Sequence, residues 1–198
     1  MLKLAVLVSG GGSNLQAVID AIDAGRVKAE IALVVSSNDR AFALERAKNH
    51  GIPTAVLMKK DFESPAEREA QLMQLLKTHN VGLLALCGSL MILSADFIRN
   101  FGRPIINVHP ALLPEFGGKG FYGLHVHEAV IAAGKAVTGA TVHFVEAGID
   151  TGRIILQKQV AVRPDDTPES LQQRVMRECE WQILPEVISM FAEGRFDL

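Results

Sequence analysis

Three features of the sequence predict an α/β fold: an open, mostly parallel sheet of Rossmann-like type with helices on both faces. Leu4–Val8 is an unbroken apolar run that stops at Ser9-Gly10-Gly11-Gly12. A strand apolar on both faces and ending in glycines belongs in the middle of a parallel sheet. Strand-like and helix-like segments then alternate along the chain, which requires crossover connections. Finally, two late strand-like segments follow each other with no helix between them, so an antiparallel pair closes the sheet.

Taken in order, Ser13 or Asn14 can cap a helix whose apolar residues Leu15, Val18, Ile19 and Ile22 fall at helical spacing, with Gly25 as its stop. Ile31–Val35 reads as the second strand and Ala41–Asn49 as the second helix, ended by His50-Gly51 and Pro53. A charged helix over Pro65–Thr78 leads to an apolar strand, Val81–Leu86. A short helix, Ala95–Asn100, leads to the strand Ile105–His109. Pro110 to Gly123 holds Pro110, Pro114 and several glycines; a loop of that length inside a compact domain is usually functional. A helix over His127–Ala133 precedes the antiparallel strands Val137–Val145 and Ile154–Val162. Thr167-Pro168 starts the C-terminal helix, which runs towards Glu193 and should kink or split at Pro185. No linker or repeat interrupts the 198 residues, so one domain over 1–198 is expected.

A formal net charge of -2 gives no electrostatic footprint for nucleic acid or for an anionic membrane, so neither is expected as a partner. Any phosphate would have to be held by a local site. The apolar run at Leu4–Val8 is shorter than the roughly 7–15 residues of a signal-peptide core. No stretch approaches the length of a membrane span. A cytoplasmic protein is expected. Cys87 and Cys179 have neither metal-ligand nor disulfide-framework spacing, and no metal is expected.

Three segments could carry chemistry. In Ser9-Gly-Gly-Gly-Ser-Asn14, glycines would let the backbone approach an anion at a helix N-terminus, with Ser13 and Asn14 adding donors. The spacing matches neither the dinucleotide fingerprint nor a Walker A loop, and a plain tight turn is the alternative. In Ile105-Ile-Asn-Val-His109-Pro110, residues two apart on a strand share a face, so Asn107 and His109 project together at a strand's carboxyl end. Asn is a neutral donor for an oxyanion and His exchanges protons near neutral pH. A polar pair satisfied by neighbouring backbone is the alternative. Gly148-Ile-Asp150-Thr-Gly152 reads by itself as a turn. If it folds over the pair, its carboxylate would orient the imidazole and raise its pKa. His125 and His127 should diverge, His143 reads as a satisfied core or edge histidine, Cys87 as buried, and Lys59-Lys60-Asp61 as a solvated loop.

These segments together resemble the folate-dependent phosphoribosylglycinamide formyltransferases of purine biosynthesis, over essentially the whole chain. The matching stretches are Val8-Ser-Gly-Gly-Gly-Ser-Asn14, Gly88 with Ile92-Leu-Ser94, Ile106-Asn-Val-His-Pro-Ala-Leu-Leu-Pro114, Gly139-Ala-Thr-Val-His-Phe-Val145 and Ile149-Asp-Thr-Gly152. The resemblance implies a catalytic trio of Asn107, His109 and Asp150. It implies transfer of a formyl group from 10-formyltetrahydrofolate, as co-substrate, to the amine of glycinamide ribonucleotide. Ribonucleotide contacts are implied at Gly12, Ser13, Asn14, Gly88, Pro110, Arg177 and Glu180. Folate contacts are implied at Leu90, Met91, Ile92, Leu93, Ile98, Glu146, Ala147, Gly148 and Ile149, largely through backbone groups. Leu113-Pro114 is a candidate cis bond on the same grounds. The state of assembly, monomer or homodimer, is left open.

The chain departs from the best-known members in three places. Met91 stands where many have an arginine beside the folate, Ser64-Pro65 lacks a Ser-Arg pair near the folate tail, and Phe116–Gly123 is longer than in some members. Lys119 in that loop could approach a phosphate or simply be solvated. Two related enzymes are rivals. Formyltetrahydrofolate deformylase carries an extra N-terminal domain, for which a first strand at residue 3 or 4 leaves no room. Methionyl-tRNA formyltransferase adds a C-terminal domain and needs a basic surface. A non-catalytic anion-binding module would not need Asn107, His109 and Asp150 to converge.

Overall fold

The computed structural model describes residues 1–196. Strand β1 (Leu2–Val8) alternates its side chains between two apolar layers: Leu4, Val6 and Val8 face one side, Ala5 and Leu7 the other, all fully buried. It is therefore the central strand that its apolar run predicts. Strands β2 (Ala29–Ser36), β3 (Thr54–Val56), β4 (Leu83–Leu86), β5 (Ile105–His109), β6 (Val137–Phe144) and β7 (Ile154–Ala161) complete one sheet in the order β3-β2-β1-β4-β5-β6-β7. The first five run parallel, and β6 and β7 are antiparallel, as expected. β3 is the one strand without a sequence signal: three residues with exposed ends give no readable apolar pattern.

Helices α1 (Ser13–Asp23), α2 (Phe42–Asn49), α3 (Pro65–Thr78), α4 (Ala95–Phe101), α5 (Leu124–Ala132), α6 (Pro168–Val175) and α7 (Trp181–Ala192) flank the sheet. α1, α6 and α7 pack on the face of Leu4, Val6 and Val8. α3 and α4 cover the opposite face. The start of α6 follows its sequence signature, with the Thr167 hydroxyl accepting from Ser170 N–H and Pro168 in the first turn. α1 does not. Its N-cap is Gly12, with φ +71° and no side-chain cap, so Ser13 and Asn14 lie inside the helix.

The C-terminal helix is also interrupted elsewhere than expected. Pro185 sits inside α7, while the break is a π-helical turn at Met176–Glu180, closed by Trp181 N–H donating to the Met176 carbonyl. Pro185 lacks the N–H that would have bonded the Trp181 carbonyl, so the irregularity lies next to the site of the missing bond. The Leu113-Pro114 bond is cis.

The order β2-β1-β4 reverses direction between β1 and β4. Ligands of open α/β sheets bind at such a switch point, beyond the carboxyl ends of the strands. The glycine loop after β1 and residues Gly88–Leu93 after β4 both lie there.

Candidate active site

A cleft of about 580 Å³ opens at this switch point, between the glycine loop, the ends of β4 and β5, the Gly118–Gly123 loop and the π-turn. Its volume lies within the usual range for small-molecule sites. Asn107 and His109 both line it, as their shared strand face predicts, and so does Asp150. The three converge. His109 Nδ1 is 3.5 Å from Asp150 Oδ2, and Asn107 Nδ2 donates to Asp150 Oδ1 at 3.3 Å. A turn residue by sequence, Asp150 is drawn over the pair because the connection between the antiparallel strands β6 and β7 folds back across β5, where Asn107 Nδ2 and Gly118 N–H hold its carboxylate.

Asp150 and Phe116 both have positive φ, 56° and 53°, which is uncommon for residues with a side chain. They hold the two ends of one arrangement. The Phe116 carbonyl accepts from His109 Nε2 at 2.7 Å, and Gly118 N–H donates to Asp150 Oδ2 at 3.0 Å. The long loop after β5 thus folds back on the trio. Gly117 lies between them, where an added Cβ would sit 3.4 Å from the Asp150 Cβ and closer still to Leu113.

His143 completes the cluster. It pairs with Asn107 across the β5–β6 ladder and is 2% exposed. Its Nδ1 donates to the Phe144 carbonyl at 2.8 Å, which leaves Nε2 as the acceptor for Asn107 Nδ2 at 3.1 Å. The expectation of a satisfied histidine is met, yet the bond that satisfies it fixes a member of the trio. Register, which pairs residues far apart in sequence, is the signal that single-strand reasoning lacks.

Electrostatics correct one expectation. Burial, at 4% exposure, lowers the pKa of His109 below its ordinary value; the Asp150 charge and the Phe116 carbonyl pull upward but do not win. The Asp150 carboxyl is raised by its own burial, but the neighbouring His143 and His109 rings and the Gly118 N–H outweigh this and leave it below the ordinary range. Asp150 is thus ionised at neutral pH, and the free imidazole leans to its neutral form, with the proton on Nε2 facing Phe116.

At the other end of the cleft lie Gly10, Ser13, Asn14, Gly88, Pro110 and Glu180. Asn14 is 8% exposed, and its Oδ1 has no partner among the described residues. Its Nδ2 donates to Glu180 Oε2 at 2.6 Å. Glu180 is placed there by the π-turn, and burial pushes its carboxyl up to about 7 despite the Asn14 bond. Gly12 does not line the cleft; it backs the loop, because a Cβ there would lie 2.6 Å from Ala43 Cβ. Arg177 is also outside, exposed on the π-turn with Nε donating to the Gln173 carbonyl. Met176, one residue earlier, and Gln172, one helical turn before that, face inward instead.

Of the residues expected to contact folate, Leu90, Ile92 and Ile149 line the cleft as exposed apolar side chains. Met91 and Leu93 alternate with them into the core, beside Leu86 and Phe97, and Ile98 packs against that same cluster. Glu146, Ala147 and Gly148 are exposed in the turn just beyond the lining. The cleft also takes in Ser9 of the glycine loop and Lys119, together with Ser89, Phe121, Tyr122 and His127, which sequence reasoning did not assign to it. His125 and His127 do diverge: the first is exposed and pairs with Glu128, while the second is buried. Among the described residues no group of three or more His, Cys, Asp or Glu is placed to hold a metal ion.

Residues 2–188 match the formyl transferase family model. The chain is 41% identical to the phosphoribosylglycinamide formyltransferase of Haemophilus influenzae over 198 residues, covering all of this chain and 91% of that one. It is 40% identical to the chloroplastic phosphoribosylglycinamide formyltransferase of Vigna unguiculata, covering 98% of this chain but spanning only 62% of the relative. Among solved structures, glycinamide ribonucleotide transformylase 1 of Symbiobacterium toebii superposes with a TM-score of 0.93 at 38% identity, covering 100% of this chain and 91% of that chain. Sequence and fold agree over almost every residue, and the chain belongs to the formyl transferase family.

Proposed function

We propose that the chain moves the formyl group of 10-formyltetrahydrofolate onto the amine of glycinamide ribonucleotide. The observation that carries this reading is the placement of the Asn107–His109–Asp150 cluster in the same cleft as the Ser13–Asn14 helix start and Glu180. An apolar rim of Leu90, Ile92 and Ile149 suits a pterin, and free N–H groups at the start of α1 suit a phosphate. Asn14 and Glu180, joined by a hydrogen bond at the cleft wall, would meet the ribose.

In this reading the amine attacks the formyl carbon and a C–N bond forms. The oxygen becomes an oxyanion, held by Asn107 Nδ2 and His109. The 3.3 Å bond from Asn107 to Asp150 is the longer of its two and the one a formyl oxygen replaces. As negative charge grows beside it, His109 takes up a proton from solvent on Nδ1, the ionised Asp150 stabilises the imidazolium, and that proton returns to solvent when the carbonyl re-forms. Collapse breaks the bond to the folate nitrogen. That nitrogen takes up the proton that the attacking amine gives up, relayed through Asp150. His143 orients Asn107.

Residues 1–198 are read as one domain, consistent with a single sheet. No helix of the described residues is long and apolar enough to cross a membrane, and a cytoplasmic enzyme acting on small molecules is proposed. The test is folate absorbance with and without glycinamide ribonucleotide. Formyl transfer that requires the amine is expected; turnover without it would favour a deformylase.

A further inference from the structure

The glycine loop is held from behind by a residue outside the cleft. Arg46, on α2, donates from Nε to the Gly11 carbonyl at 2.9 Å and from Nη1 to Gln16 Oε1 at 3.0 Å. Three residues earlier on the same helix, Ala43 N–H donates to the Gly10 carbonyl at 3.1 Å. Two consecutive peptide carbonyls of the loop are therefore pinned towards α2. A trans peptide points its C=O and N–H in opposite directions. Pinning the carbonyls of Gly10 and Gly11 turns the N–H groups of Gly11 and Gly12 away from α2, and neither has an acceptor among the described residues. The left-handed Gly12 and its contact with Ala43 lock the same geometry. Successive outward N–H groups at a helix start form an anion-binding concavity.

The charge of Arg46 points the same way. No carboxylate among the described residues pairs with its guanidinium, which rests over the Phe42 ring at 5.0 Å. An arginine bonded to one backbone carbonyl and one side-chain amide oxygen, with no counter-charge, adds positive potential directly behind the loop.

We propose that Arg46 is a positioning residue for substrate phosphate: it touches no ligand, but its fork of bonds to Gly11 and Gln16 presets the N–H groups of the loop for an anion. The inference rests on the reading of this loop as the phosphate site.

The test measures Kd by calorimetry for glycinamide ribonucleotide, for its unphosphorylated ribonucleoside and for folate, in the wild type, Arg46→Ala and Arg46→Lys. Arg46→Ala is expected to weaken the ribonucleotide at least about tenfold, a loss of about 1.4 kcal/mol. The ribonucleoside and the folate should change less than about twofold, which also certifies the fold. Arg46→Lys keeps charge but not the fork, so it should restore only part of the ribonucleotide affinity. Equal weakening of ribonucleotide and ribonucleoside in Arg46→Ala would overturn the proposal, as would no weakening of either. Full rescue by lysine would overturn the role of the fork. A wild type that binds ribonucleoside as tightly as ribonucleotide would instead remove the phosphate site itself, and Arg46 with it.

Discussion

Asn14 and Glu180 share a 2.6 Å hydrogen bond that joins the first turn of α1 to the π-turn, across 166 residues of sequence. Both side chains are buried, and burial dominates the acid: its pKa rises from an ordinary 4.5 to about 7 even with the Asn14 donor in place. A carboxyl whose folded pKa is raised binds its proton more tightly in the folded chain than in the unfolded one. Its contribution to stability is complete below the ordinary value and is lost as pH rises through about 7.

Glu180→Gln keeps an oxygen acceptor for Asn14 but cannot ionise. Its Tm relative to the wild type should therefore improve between about pH 5 and about pH 8. Each tenfold gain in proton affinity on folding corresponds to about 1.4 kcal/mol. At about 2–4 °C per kcal/mol for a chain this size, the improvement should be several degrees. A Tm difference that stays constant across that range would mean Glu180 is not held protonated in the fold.

Asp150 is the carboxylate that opposes the burial of His109. Asp150→Asn should cut kcat by about 10²–10⁴-fold, the range for positioned acid–base groups, with little change in ribonucleotide affinity. The same substitution removes an upward pull on His109, so the imidazole should titrate at still lower pH in the variant. NMR titration of the His109 ring checks this directly. Near-normal single-turnover rates, or an unmoved titration, would remove Asp150 from the chemistry.

His143 acts on the reaction only through Asn107. With Nδ1 bound to the Phe144 carbonyl, its Nε2 fixes which way the Asn107 amide faces. His143→Ala should lower kcat about tenfold, less than the roughly 10²–10³ expected for losing the oxyanion donor itself in Asn107→Ala. His143→Gln, which offers an acceptor again, should recover part of the rate. Equal losses in both His143 variants with raised KM and lowered Tm would point to packing instead.

What can be read from the sequence follows the range of the interactions. Strand periodicity is local, so β1, β5 and the shared face of Asn107 and His109 are legible to within a few residues. Asp150 is not, because Gly148–Gly152 reads in sequence as an ordinary turn and only the folding of the β6–β7 connection brings it to Asn107 and His109. His127 and Gln172 enter the cleft through helix packing, and His143 reaches Asn107 through cross-strand register, which no window of sequence contains. Arg177 and Met91 lie in segments that border the cleft, but the helical and extended periodicities there turn their side chains away and present Met176, Leu90 and Ile92 instead.

Ser9 ties the two halves of the cleft together. Its hydroxyl accepts from Leu90 N–H at 2.8 Å and lies 2.7 Å from Ser37 Oγ, so one oxygen links the ends of β1, β2 and β4. Leu90 is 66% exposed and is held in the cleft wall by that backbone bond and its neighbours, not by packing. Ser9→Ala leaves the Leu90 N–H without its acceptor, a loss of about 0.5–1.5 kcal/mol for an ordinary hydrogen bond. Because the freed segment lies on the proposed folate side, folate KM should rise about 2–10-fold, with ribonucleotide KM changed less. Ser9→Thr retains the hydroxyl and should keep folate KM close to the wild type. If Ser9→Ala raises both constants equally, the hydroxyl supports the glycine loop as a whole and does not single out the folate wall.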